Sequence, residues 1–218
     1  MIVLSSAFSQ AIVGIDIKGK KDFSVIPASA KQSESILSEI DNLLSKNGFT
    51  LQDNDEYGVV VGPGSFTGLR VGTAIVKGLC AGSANKCKVV ALSSLGLLAY
   101  EYIKENKPKE DFVCIINALS GLYFVCQFDR NGKSVSQERL IDRAELDSID
   151  LIKVGLSGEG ICEKEVTLTG EGLLAEAARL LKEGGTVDVK TFAPVYIRKS
   201  QAEDALEEKL KKEVIKKS

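Results

Sequence analysis

The run Gly62-Pro63-Gly64-Ser65-Phe66-Thr67-Gly68-Leu69-Arg70-Val71-Gly72 constrains the fold of this chain more than any other feature. It follows Tyr57 to Val61, a short β-branched stretch of the kind a buried parallel strand shows, and it opens a helical pattern that reaches about Ala81. A loop that joins a strand to a helix can aim backbone N–H groups and the positive helix end at an anion. The spacing is nevertheless not that of a nucleotide loop. No Lys-Ser/Thr pair follows the second glycine, and there is no G-x-G-x-x-G with an acid about twenty positions on. The glycines have a second use in packing, because Gly68 and Gly72 lie four apart on one helical face and lack the Cβ atoms that would hold another helix away. Two readings stay open here, a contact with a partner helix and packing within this fold.

The flanking segments set the loop in an α/β order. Met1 to Leu4, Ala11 to Lys18 and Phe23 to Ile26 read as three strands of a meander separated by Ser-rich and Gly-Lys-Lys turns. Ser29 and Gln32 have the form of a capping box, and Ile36, Leu37, Ile40, Leu43 and Leu44 then recur on one face of a helix over Lys31 to Lys46. After the loop and its helix come a strand over Lys88 to Leu92 and a helix from the N-cap Ser93 to about Glu105. The order β-β-β-α-β-α-β-α is that of an actin-like, or ribonuclease-H-like, lobe. Asn106 to Asp111 reads as a linker, after which Phe112 to Asn117 and Tyr123 to Phe128 form a strand pair. Strands near Lys153 and Glu165 and a helix from about Leu173 to Leu181 complete a smaller α/β unit. The expected division is 1–106, 107–200 and a charged helix or tail over 201–218.

Composition removes several chemistries. The 218 residues contain no histidine, which excludes Ser-His-Asp and Cys-His triads, histidine-ligated zinc and imidazole acid/base catalysis. The five cysteines, at 80, 87, 114, 126 and 162, form no C-x-x-C pair and read as reduced, mostly core residues. A formal charge of -2 gives no general attraction for a nucleic-acid backbone, and the lysines of 209–217 are interrupted by Glu213 and lack aromatic neighbours. The start of the chain has neither the charge nor the apolar run of a secretory signal, so a cytoplasmic protein with no membrane span is expected.

Val61 to Gly72, continuing through Thr73-Ala74-Ile75-Val76-Lys77-Gly78-Leu79, is similar to the G-P-G-S-F-T-G-L-R-[IV]-G…K-G-L signature of the TsaB (YeaZ) family. Ser33-Glu34, Leu92-Ser93-Ser94-Leu95 and Pro194-Val195-Tyr196-Ile197-Arg198 carry further resemblance. It implies an actin-like (ASKHA) fold of two lobes with mixed sheets flanked by helices, and a pseudo-enzyme of tRNA threonylcarbamoyladenosine (t6A) synthesis. Such a chain pairs with TsaD, which carries the metal and the catalytic site, and is joined by the ATPase TsaE. It binds no cofactor of its own, meets tRNA only through the complex, and can form a homodimer when alone. The family contact uses the first two helices, here Lys31 to Lys46 and Thr67 to Ala81. The expected interface residues are Ile36, Ile40, Leu43, Gly68, Leu69, Gly72, Ile75, Val76 and Leu79, beside the signature-loop residues Gly62, Pro63, Gly64, Ser65, Phe66, Thr67 and Arg70. No catalytic and no metal-binding residue is expected.

Three departures bear on chemistry. Ser5 stands where the family has an aspartate, and a hydroxyl is a poorer ligand than a carboxylate for a hard cation. Asn117-Ala118-Leu119 replaces a D-A-R motif, and Gln32 a histidine, which puts in doubt any role resting on those side chains. The competing readings are an actin-like phosphotransferase or a peptidase. Asp16 and Asp129 are acids of the right type for the first, but Asp16 lies mid-strand and Asp129 in a hairpin.

Overall fold

A computed structural model describes residues 1–28, 32–83 and 86–197, the side chains of residues 32 and 33 excepted. Strands β1 (Ile2–Ser5), β2 (Ala11–Ile17) and β3 (Lys20–Ile26) form an antiparallel meander. Helix α1 (Gln32–Asn47) leads to β4 (Glu56–Gly62), and α2 (Phe66–Gly82) leads to β5 (Lys88–Ser93). Strands β1, β4 and β5 run parallel, and the six-stranded sheet has the order β11-β5-β4-β1-β2-β3. After α3 (Ser94–Asn106) come β6 (Phe112–Asn117), β7 (Leu122–Phe128), β8 (Arg139–Asp142), α4 (Arg143–Ser148), β9 (Ile152–Leu156) and β10 (Lys164–Val166). Those strands make a five-stranded mixed sheet, β10-β9-β6-β7-β8. Helix α5 (Gly170–Lys182) and β11 (Thr186–Val187) end the regular structure among the described residues.

The two-residue period of the strands sorts the core into layers. Ile2, Leu4, Tyr57 and Val59 point to one face of the first sheet, where Ile36, Ile40, Leu43 and Leu44 of α1 and Val76 of α2 cover them. Val3, Val60, Val90 and Leu92 point to the other, against Leu173, Leu174 and Ala177 of α5. On the second sheet, Phe112, Cys114, Ile116 and Phe124 meet Leu95, Leu98 and Tyr102 of α3. A buried carboxyl ties α3 to α5: Glu101, 1% exposed, accepts hydrogen bonds from the backbone N–H of Thr169 at 2.8 Å and from its hydroxyl at 2.6 Å.

The expected elements lie within a few residues of those observed, and the structure adds β8, α4 and β11. Helix α5 starts three residues earlier than expected, at an N-cap, Thr169, followed by Gly170 and Gly172. Although α5 and β11 belong to the stretch expected as a separate unit over 107–200, both pack on the first sheet. The expectations for Ser29, Arg198 and the segment 201–218 lie outside the described residues. Cys114 and Cys126 are buried, while Cys80, Cys87 and Cys162 are half-buried. Asp16 pairs with Lys21 at 3.6 Å, and Asp129 caps a turn by accepting from the N–H groups of Asn131 and Lys133, both at 2.9 Å.

Candidate functional site

The glycines of the signature segment are filled from within the chain. A Cβ on Gly68 would lie 1.8 Å from the carbonyl oxygen of Ser6, one on Gly64 2.5 Å from that of Ala7, and one on Gly72 2.6 Å from the Ser6 hydroxyl. The turn after β1 therefore rests directly on the start of α2. Hydrogen bonds secure it: Ser65 N–H donates to Ala7 O at 2.7 Å, and the Ser6 hydroxyl to Gly68 O at 2.7 Å. Ser65 also caps α2, its hydroxyl accepting from Gly68 N–H at 3.2 Å, while Leu69 N–H donates to Ser65 O at 2.9 Å. Three of the N–H groups that an anion at this helix end would use are thus engaged. Ser5, in the place of the family acid, is 1% exposed and its hydroxyl has no hydrogen-bond partner.

These contacts decide between the two uses of the glycines. Gly68 and Gly72 serve packing inside the fold, against Ser6, and Gly72 is buried. Of the expected interface residues, Ile36, Ile40, Leu43, Leu69 and Val76 are likewise buried against the first sheet, so their side chains face the core rather than a partner. The helical period that singled them out in the sequence follows the buried side of each helix. Ile75 and Leu79 are half-buried on its flank.

The outward side carries other residues. Ala74, Gly78, Ala81 and Gly82 are exposed on α2, and a Cβ on Gly78 or Gly82 would meet nothing within 4 Å. Leu37 of α1 is 48% exposed. The spacing of Gly78 and Gly82, four apart like that of Gly68 and Gly72, was the available signal, but it is identical for both pairs and cannot tell inside from outside.

Arg70 is exposed, so it needs none of the carboxylate partners that a buried arginine would require. Its guanidinium carbon lies 4.1 Å from the Phe66 ring centroid, and its Nε donates to the Tyr196 hydroxyl at 3.0 Å. Phe66 and Tyr196 stack at 4.4 Å. The same clamp holds the segment 192–197, where Val195 N–H donates to Val61 O at 2.8 Å, Phe192 enters the first core and Ile197 packs on the second-sheet core. The Pro194 to Ile197 motif is therefore a strap across the two sheets. Gly62, whose φ is 137°, has no room for a side chain because Val195 O lies 2.7 Å from its Cβ position. Pro63 is buried and Thr67 exposed at this end of α2.

Among the described residues no cluster of three or more Cys, Asp or Glu side chains is placed to hold a metal ion. A cleft of ≈ 300 Å³ on the second sheet is lined by Arg143, Asp147, Lys153 and Glu163, whose charges match one another: Arg143 donates to Asp147 at 2.8 Å and Lys153 lies 3.6 Å from Glu163. Among the described residues no helix is long and apolar enough to cross a membrane.

Known proteins share the fold and the sequence pattern of this chain. The sequence model of the family described as "TsaD: tRNA N6-adenosine threonylcarbamoyltransferase" matches residues 20–159, more than half of the chain. The tRNA threonylcarbamoyladenosine biosynthesis protein TsaB of Escherichia coli is 27% identical over 193 residues, covering 79% of this chain and 83% of that protein. The TsaB of Haemophilus influenzae is 27% identical over 124 residues, covering 57% and 52%. The structure of YeaZ from Pseudomonas aeruginosa superposes with a TM-score of 0.75 at 21% identity, over 89% of this chain and 98% of that one. A second Pseudomonas aeruginosa structure, described as an uncharacterized protein with similarity to peptidase YEAZ, gives 0.76 at 20% identity, over 90% and 98%. The fold is thus actin-like, and the chain belongs to the threonylcarbamoyltransferase family described as TsaD, within which its relatives are the TsaB, or YeaZ, proteins.

Proposed function

We propose that this chain is a non-catalytic subunit in the synthesis of threonylcarbamoyladenosine on tRNA, docking a catalytic subunit of its own family through the outer face of α1 and α2. The observation that carries this reading is the contrast between the two sides of α2. Its inner side is closed by Ser6 and Ala7 at the helix end that could otherwise receive an anion, and its outer side, Ala74, Gly78, Ala81 and Gly82, is bare. The absence of histidine and the serine at position 5 point the same way. On this reading ATP and metal belong to partner subunits, TsaD first and TsaE with it. The tRNA reaches this chain only through them, and the whole assembly works in the cytoplasm.

Co-expression with the TsaD of the same organism tests the proposal: the two chains should co-purify at equal stoichiometry. Calorimetry of the isolated chain with ATP and magnesium should show no saturable heat. Tight nucleotide binding, or no complex with or without nucleotide, would overturn it.

A further inference from the structure

The five free cysteines sort by their place in the fold into a buried pair, a single residue and a half-buried pair. Cys114 and Cys126 face each other across β6 and β7, but at 0% and 1% exposure they are sealed in the second-sheet core. Cys162 packs against Gly155 of β9 and is the only cysteine of its core layer among the described residues. Cys80 and Cys87 differ from both. Cys80 lies in the last turn of α2 and Cys87 one residue before β5, with six residues between them. The Cys87 Sγ lies 3.9 Å from the Cys80 carbonyl oxygen, and the two thiols are hydrogen-bonded to each other.

Both ends of this pair are anchored by the backbone. Ser83 N–H donates to Cys80 O at 3.3 Å to end the helix, and Lys88 N–H donates to Asp55 O at 2.8 Å to begin the strand. The two side chains rest on the margin of the first core, half-buried, with Ala81, Gly82, Lys86 and Lys88 exposed around them. Sulfurs in contact on two separately held elements meet the main geometric demand of a disulfide, and partial exposure admits a small reagent.

We infer that Cys80 and Cys87 form a reversible thiol–disulfide pair, closed by a low-molecular-weight disulfide such as oxidised glutathione and reopened by a thiol. Burial first, then the hydrogen bond and charge of Cys87, push the Cys80 thiol up to about 12, so the first attack falls to Cys87. As thiolate, its sulfur attacks the S–S bond of the reagent, forms a mixed disulfide and releases one glutathione thiolate. That step removes the two causes that Cys87 supplied. The Cys80 sulfur then loses its proton, attacks the Cys87 sulfur, closes the Cys80–Cys87 bond and releases the second glutathione. The cysteines give up two electrons and two protons, and the reagent's two sulfurs take them up. The closed bond ties the last turn of α2, with exposed Ala81 and Gly82, to the start of β5. The inference needs this chain alone, so it and the docking of a catalytic subunit can fail separately.

Peptide mapping tests it. The full chain, reduced and freed of reductant, is incubated folded with oxidised glutathione, blocked with N-ethylmaleimide in denaturant and digested with trypsin without reduction. Cleavage after Lys77, Lys86 and Lys88 puts Cys80 in peptide 78–86 and Cys87 in peptide 87–88. These two peptides should be recovered joined, in at least about tenfold excess over the glutathione adduct of Cys87, because the resolving thiol is already in place. Dithiothreitol should separate them, and Cys114 and Cys126 should be recovered blocked and unlinked. Cys80→Ser, shown folded by thermal melting, should leave Cys87 trapped as its glutathione adduct. A wild-type chain that keeps both thiols free, carries separate glutathione adducts on Cys80 and Cys87, or links Cys114 to Cys126 as readily would overturn the inference, whatever the variant does.

Discussion

The carbonyl oxygen of Ser6 occupies the space of a missing side chain on Gly68, 1.8 Å from where a Cβ would stand. The turn after β1 is thus braced against the helix whose other side is exposed. Gly68→Ala should separate turn from helix and cost about 2–3 kcal/mol, lowering Tm by about 5–10 °C. Gly78→Ala, with nothing within 4 Å, should instead gain up to about 1 kcal/mol through helix propensity. Differential scanning calorimetry of the pair checks both signs, and equal effects would contradict the inside–outside assignment.

Glu101 anchors the start of α5 from α3, with its second carboxyl oxygen left without a partner. Glu101→Ala strands the Thr169 N–H and should cost about 2–3 kcal/mol in a urea titration. Glu101→Gln keeps an acceptor for that N–H and should cost clearly less. If glutamine is as damaging as alanine, the anchor is not the hydrogen bond.

Glu138 links the second sheet to the first by accepting a hydrogen bond from the Ser93 hydroxyl, which at the same time accepts from Gly96 N–H to cap α3. Burial raises the Glu138 carboxyl above its ordinary value, against the opposing pull of the Ser93 hydrogen bond. The folded state therefore holds this proton more tightly than the unfolded chain. Its contribution is fully present below the ordinary value of 4.5 and is lost as pH rises through the raised folded value. Glu138→Gln removes the titration, so its stability relative to the wild type should improve from about pH 4 to pH 8. A difference that stays flat or falls would show that the charged carboxylate, not its neutral form, suits the site.

Arg70 is held by ring stacking and a hydroxyl rather than by a carboxylate. Arg70→Ala should cost about 1 kcal/mol of monomer stability, and that cost should hardly change with added salt. A cost that vanishes at high salt would reveal an ion pair as its source.

Regular structure was legible in the sequence wherever periodicity was strong. The α1 stripe Ile36, Ile40, Leu43 and the β4 run read directly as helix and strand, but the stripe expected at a partner interface lies in the core. Short elements were not legible: β8 and α4 carry only Ile141 and Leu146 into the core, too few positions to show a period, and β11 is two residues long. The start of α5 was hidden because Gly170 and Gly172 imitate a loop, whereas they are needed for close approach to Phe23 and Glu101. At the candidate site the loop was found but its glycines could not be sided. Spacing gives the face of a helix, and only the Ser6 carbonyl shows which face is inside.

The central claim is that the outer face of α2 docks a catalytic subunit, and Gly78→Leu tests it most directly. Binding of the purified TsaD of the same organism should be measured by isothermal titration calorimetry for the wild type, Gly78→Leu and Gly72→Leu, beside the melting temperature of each chain. The account predicts that Gly78→Leu keeps its fold and loses at least about tenfold in affinity, since the new side chain stands in the path of the partner. Gly72→Leu should lose its fold first, against the Ser6 hydroxyl. Wild-type affinity in Gly78→Leu would contradict the account.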